Sequence, residues 1–268
     1  MPELSTLSYI IIFTLIGSVF SLIGGIILLL KEKVAIKFSH FLAAFAAGTL
    51  LGTVFFELLP EAVHGTHEAE EGGGGEMNIF LFTLLGFILF YLIERSIHWY
   101  HHHQHEFDDK KTEPTIPLVV LGDTVHNFID GVVIAATFLV NIPLGVVTTL
   151  AVAAHEIPQE MGDFGILIHK GLERKKIILV NIMSALAALF GALITYFLGE
   201  RIEGILPILL SLTAGFFIYI AASDLIPEIH HENRRGFAFA ETALLIFGIL
   251  SIWLILYLLG VLGLHGDH

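Results

Sequence analysis

Two stretches place ionisable side chains inside otherwise apolar sequence: GDTVHNFIDG (122–131) and HEIPQEMGD (155–163). On an α-helix, positions four apart differ by about 40°, so His126 and Asp130 share one face, and His155 and Gln159 share another. Asn127 and Glu156, each one residue further on, are turned by about 100° and reach an adjoining position. Both stretches thus repeat one pattern: ligand, ligand, two spacers, ligand. Only VNIP (140–143) separates the apolar segments that carry them, which makes those segments antiparallel neighbours. Face to face they offer one ion two imidazole nitrogens, a carboxylate oxygen from Asp130 and an amide oxygen from Gln159. A second ion would sit between Asn127, Glu156 and a shared Asp130. Mixed nitrogen and oxygen donors suit Zn²⁺ and its neighbours better than Ca²⁺ or Mg²⁺. The chain has no cysteine, so no thiolate site for a softer ion is available. An amide at Gln159 is a weak ligand, which suits a site that must release its ion. A lone histidine in an apolar helix is more simply a packing residue. Two His-plus-acid clusters of equal spacing on adjacent helices argue instead for metal. Pro158 removes a backbone donor and frees a carbonyl near the site, and Gly131 and Gly162 are expected to let helices approach closely.

The elements that position these groups are read as membrane spans. The 268 residues are 55% hydrophobic and 15% charged, with a mean hydropathy of +0.82, too apolar for a soluble domain of this size. A helix crosses a bilayer with roughly 20 apolar residues. Eight segments reach that length: 7–30, 40–60, 78–98, 116–140, 143–168, 177–199, 205–227 and 238–262. The first is read as a retained helix, because MPELST carries no positive charge and no small-residue cleavage site follows. With eight spans, twelve of the thirteen lysines and arginines fall on one side and only Arg201 on the other. By the positive-inside rule that side is the cytoplasm, which leaves both termini outside it. A prokaryotic inner membrane is the expected host. The net charge is −13. The outer loop 61–77 is expected to be a flexible, acidic and histidine-bearing linker that gathers cations by its field, or simply a solvated connection.

An internal repeat organises the spans. AGTLLGTVFFELLPEA from Ala47 matches AGFFIYIAASDLIPEI from Ala214 at a constant offset of 167 residues. That offset pairs Gly48 with Gly215, Glu57 with Asp224, Pro60 with Pro227, Glu61 with Glu228, and Gly24 with Gly191. Spans 1–3 and 6–8 are then copies around spans 4 and 5, and the second copy is inverted, as in many transporters. Glu57 and Glu61 would stand at the outer mouth, and Asp224 and Glu228 at the inner one. In the simpler alternative, Pro60 and Pro227 just end their helices.

At HNFIDG, HEIPQEMGD, FELLPEA and SDLIPEI the sequence resembles the ZIP family (Zrt-, Irt-like proteins), most closely the branch whose fifth helix reads His-Glu-x-Pro-His-Glu-x-Gly-Asp. The resemblance covers nearly the whole chain as a single transmembrane domain (1–268). It implies an all-α membrane protein with eight helices in a 3+2+3 arrangement, often a homodimer, moving Zn²⁺ or related metals into the cytosol. It implies a primary site of His126, Asp130, His155 and Gln159, with Asn127 and Glu156 in an adjacent one. Three positions depart from the family pattern. Gln159 replaces a histidine, Glu57 stands where many members have histidine, and NIMSALAALFGALITYF (181–197) brings no carboxylate from the sixth helix.

The cytoplasmic loop 99–115 holds His101, His102, His103 and His105, which would catch metal leaving the pore or form an incidental polar loop. Zn²⁺ is the expected cargo, and the ligand types do not rank it against Cd²⁺, Fe²⁺, Mn²⁺ or Co²⁺. Divalent ions and the lipid bilayer are the expected partners; no nucleic acid and no catalysis are expected. Two other classes are weighed. A membrane metal sensor would bind without flux. An intramembrane zinc protease is suggested by the likeness of HEIPQ to H-E-x-x-H, but Gln159 replaces the second histidine.

Overall fold

The computed structural model describes residues 5–71, 78–103, 115–169, 171–230 and 235–261, and every regular element among them is helical. They are α1 (Thr6–Thr53), a π-helical segment (Val54–Leu58), α2 (Leu59–Glu71), α3 (Ile79–His103), α4 (Thr115–Val140), α5 (Ile142–His169) and α6 (Arg174–Ile202). A 3₁₀ turn (Glu203–Ile205), α7 (Leu206–Tyr219), a second π-helical segment (Ile220–Leu225), α8 (Ile226–His230) and α9 (Arg235–Val261) follow.

Among the described residues, seven stretches are long and apolar enough to cross a membrane: Thr6–Leu30, His40–Thr66, Ile79–Ser96, Val119–Val140, Arg174–Gly199, Leu206–Leu225 and Phe237–Leu258. The expected segment 143–168 is helical as α5 but lies outside that set. Its second half carries His155, Glu156, Gln159, Glu160 and Asp163, and these lower its apolarity. Large apolar side chains such as Phe80, Phe197 and Phe239 point outward, while His155, Glu156 and Glu160 are buried. That inverted distribution is the one a lipid environment favours.

Three boundaries differ from the sequence expectation. The backbone is helical through the lysine-bearing stretch 31–37, so α1 contains the connection between the first two spans. Its early part packs on α5, where a methyl at Gly24 would strike Ile157, and its late part packs on α9, where a methyl at Gly48 would overlap the Leu245 carbonyl. The acidic stretch after Glu61 stays helical to Glu71; alanine and glutamate favour helix, and the glycine run begins only at residue 72. Lastly, neither Pro60 nor Pro227 ends a helix. Each follows a π-helical segment in which a backbone N–H reaches five residues back, Leu59 to the Val54 carbonyl and Ile226 to the Ala221 carbonyl. The wider turn lets the chain run through a residue that has no N–H and would crowd the preceding turn.

Positions 167 apart play matching parts. The two i→i−5 bonds fall on that offset. Gly24 of α1 abuts α5, and Gly191 of α6 abuts the Phe128 carbonyl of α4. Gly48 of α1 abuts α9, and Gly215 of α7 abuts the Thr83 carbonyl of α3. Small residues at these crossings bring backbones together without a side chain between them. Around α4 and α5 the contacts are equally close, with Gly131 against the Ala188 carbonyl of α6. Gly162, by contrast, is exposed with nothing within 4 Å of an added methyl, so it does not serve close helix approach among the described residues.

Candidate metal centre

Helices α4 and α5 are joined through Asn141 alone, whose side-chain oxygen accepts the Leu144 N–H at 2.8 Å and caps α5. This tight corner sets the two helices antiparallel. At the far end, Gly171 with φ 79° closes α5, its N–H donating to the Ile168 carbonyl at 2.9 Å and that of Leu172 to the Leu167 carbonyl at 3.0 Å.

The two helices bring His126, Asp130, His155 and Glu156 together, with one ligand atom from each lying within 4.8 Å of the others. The two Nε2 atoms are 3.2 Å apart. His126 Nε2 lies 3.4 Å from Glu156 Oε1 and 3.8 Å from Asp130 Oδ2. His155 Nε2 lies 3.5 Å from Asp130 Oδ2 and 3.9 Å from Glu156 Oε1. Two ligands at about 2.05 Å from a tetrahedral Zn²⁺ stand about 3.3 Å from each other. The measured separations bracket that value.

The backbone orients the His155 ring. His155 Nδ1 is 3.1 Å from the Ala151 carbonyl oxygen, which can only accept, so Nδ1 carries the proton and Nε2 presents its lone pair to the cluster. Phe217 of α7 packs against the His155 ring at a centroid distance of 6.0 Å, and Phe90 of α3 packs edge-on to His126 at 5.5 Å. Asp130 Oδ2 and both oxygens of Glu156 are buried without a hydrogen-bond partner. Buried acceptors are normally satisfied, and a cation among these atoms would satisfy them.

The other expected site residues lie as follows. Glu156 joins the imidazoles directly rather than an adjoining position. Asn127 turns its amide nitrogen elsewhere, donating to Asp123 Oδ1 at 2.8 Å, to the Asp123 carbonyl at 3.1 Å and to Ser184 Oγ of α6 at 3.3 Å. Gln159 is half-buried one turn after His155. Glu57 is buried in the first π-helical segment, Glu61 is half-buried in α2, and Asp224 is exposed in the second π-helical segment. Glu228 lies in α8 and His101–His103 at the end of α3, with their side chains outside the described residues, as is all of His105.

Sequence reasoning passed over Asp123, Glu160 and Ser184, all buried around the same helices. The first two were legible in the quoted stretches, since Asp123 is one turn before Asn127 and Glu160 one turn after Glu156. Ser184 carried no signal, because only the packing of α6 on α4 brings it to Asn127.

The family described as ZIP Zinc transporter matches residues 4–118 and 115–256. Zinc transporter ZIP13 of Pongo abelii is 34% identical over 219 residues, covering 78% of this chain and 64% of that protein. Zinc transporter ZIP6 of Homo sapiens is 38% identical over 144 residues, covering 50% and 19% respectively. Zinc transporter ZIP4 of Mus musculus is 30% identical over 304 residues, covering 88% and 46%. The chain therefore spans less than two thirds of the length of these relatives. The family match covers nearly all of this chain, including both ligand-bearing helices, and the chain belongs to the ZIP zinc transporter family.

Proposed function

We propose that this chain carries a divalent transition metal, Zn²⁺ foremost, across a membrane into the cytosol through the centre between α4 and α5. One observation carries the reading: inside apolar helices, two imidazole nitrogens lie 3.2–3.9 Å from each other and from Asp130 Oδ2 and Glu156 Oε1, two buried oxygens without a hydrogen-bond partner. Family membership supports it. Groups of this kind are costly in a membrane interior unless they serve an ion or its path.

The arrangement proposed is eight spans in a 3+2+3 order, with α5 as the eighth crossing element. In support, the 28 residues of α5 measure about 42 Å, and the 167-residue offset relates both the π-helical segments and the glycine crossings. The distribution of lysine and arginine supports termini outside the cytoplasm. In this scheme a hydrated ion passes Glu57 and Glu61, sheds water onto His126, Asp130, His155 and Glu156, with Gln159 one turn further along α5, and leaves past Asp224 and Glu228. Each mouth carboxylate sits in or beside a π-helical segment, an element that recurs at functional sites. His101, His102, His103 and His105 would receive the released ion. Cd²⁺, Fe²⁺, Mn²⁺ and Co²⁺ are further candidate cargoes.

The test is metal uptake into sealed proteoliposomes, offering Zn²⁺, Cd²⁺, Fe²⁺ and Mn²⁺ separately. Saturable Zn²⁺ entry that is lost in His155→Ala is expected. Tight binding without flux of any metal would turn the reading into a membrane sensor.

A further inference from the structure

One fully buried carboxyl takes no part in the imidazole cluster. Glu160 has no solvent exposure and neither of its oxygens has a hydrogen-bond partner. It lies one turn beyond Glu156 on α5. On α4, Asp123 holds the corresponding place, one turn before Asn127 and buried like it. Because the two helices are antiparallel, Asp123 and Glu160 are displaced from the imidazoles in the same direction. That direction is towards the start of α4, which is the cytosolic side in the orientation proposed above. Asp163 completes the group, three residues beyond Glu160 on the same side of α5. No lysine or arginine among the described residues pairs with Asp123, Glu160 or Asp163. The Asn127 amide fixes Asp123 Oδ1 at 2.8 Å, which holds this carboxylate in place without neutralising it.

Collecting like charges in a protein interior is unfavourable unless they are protonated or share a cation. The geometry points to a second divalent-cation site, made only of oxygens, in which Asp123, Glu160 and Asp163 receive the ion that leaves the imidazole centre. This rests on the reading that the imidazole centre carries metal. It is separate from an ion held between Asn127, Asp130 and Glu156, since its ligands lie a turn further along both helices. Its carboxylate oxygens do not converge within 4.8 Å as those of the first centre do. Ligands set that far apart take an ion that keeps part of its water and is held weakly, and carboxylate oxygens suit Mn²⁺ as well as Zn²⁺.

The experiment uses the full chain, purified and stripped of metal, as wild type, Glu160→Gln, Asp123→Asn/Glu160→Gln and His155→Ala. Bound Zn²⁺ is counted by equilibrium dialysis, and Mn²⁺ added alone is followed by electron paramagnetic resonance. Wild type is expected to bind one more weakly held ion than either glutamine variant, while the tight Zn²⁺ affinity stays within about twofold. His155→Ala should lose the tight ion yet keep the Mn²⁺ signal, and adding Glu160→Gln to it should remove that signal. In proteoliposomes, Glu160→Gln should lower maximal uptake by about tenfold or more with little change in half-saturation. Equal ion counts and equal rates in wild type and Glu160→Gln overturn the second site. So does loss of the tight ion in Glu160→Gln, which would make Glu160 part of the first centre. Unchanged Zn²⁺ uptake in His155→Ala would instead overturn the imidazole centre, a distinct result.

Discussion

Metal affinity at the centre depends on neutral imidazoles and ionised carboxylates, and each named side chain makes a separable contribution. Asp130 Oδ2 lies within 3.8 Å of both imidazole nitrogens and is otherwise unpartnered. Asp130→Ala removes one of the four proposed ligands. Zn²⁺ uptake should fall to the background of empty liposomes, while the variant elutes as wild type on size exclusion. Uptake at wild-type rate would remove Asp130 from the ligand set. Protons compete with metal for Nε2 of His126 and His155, because only a neutral ring ligates. The sign is therefore fixed: affinity declines as the pH falls. Lowering the pH from 7.5 to 5 should weaken equilibrium Zn²⁺ binding by about tenfold or more, measured by competition with a chelator of known pH response. A flat profile would exclude both imidazoles.

At the scale of elements, glycine crossings and proline-linked wide turns decide where helices meet. A larger side chain at Gly48 would overlap the Leu245 carbonyl of α9, and at Gly215 the Thr83 carbonyl of α3. Gly48→Leu and Gly215→Leu should each destabilise by about 1–3 kcal/mol, the usual cost of overpacking, and by similar amounts because the two crossings correspond. Thermal melts in detergent would report this as a lowered midpoint. Gly162→Ala is the contrasting case. Nothing lies within 4 Å of the added methyl, and alanine favours helix over glycine by about 0.5–1 kcal/mol, so its midpoint should hold or rise. Equal losses at all three positions would mean that the crossings do not set the packing. The wide turns before Pro60 and Pro227 show why local rules misplace these helix ends. Proline forbids the ordinary i→i−4 bond, yet an i→i−5 bond one residue earlier lets the helix continue.

At the scale of the whole molecule, the proposed orientation rests on the distribution of lysine and arginine. The chain contains no cysteine, so a single introduced thiol reports its side unambiguously. Asn78→Cys, at the start of α3, should react with an impermeant maleimide applied to intact cells, and Lys175→Cys, at the start of α6, only after permeabilisation. The reverse pattern would invert the molecule and the direction of entry. In the orientation proposed above, the acidic group of Asp123, Glu160 and Asp163 lies downstream of the imidazoles.

Sequence alone determined which candidate groups share a helix face, because an α-helix converts the spacing of His126 and Asp130, and of His155 and Gln159, into fixed angular relations whatever surrounds it. It also determined the apolar segments and the 167-residue repeat, since both are local patterns along the chain. Which groups face one another was decided only by the packing. Glu156, expected in the adjoining position, joins the four-atom cluster, because the turn of α5 is set by its neighbours, such as α1, where Gly24 lies against the Ile157 carbonyl. Asn127 is drawn away by Asp123 and by Ser184, the latter reaching it from 57 residues along the chain. Helix periodicity fixes angles within one helix, but the relative turn of two helices follows from every side chain lodged between them.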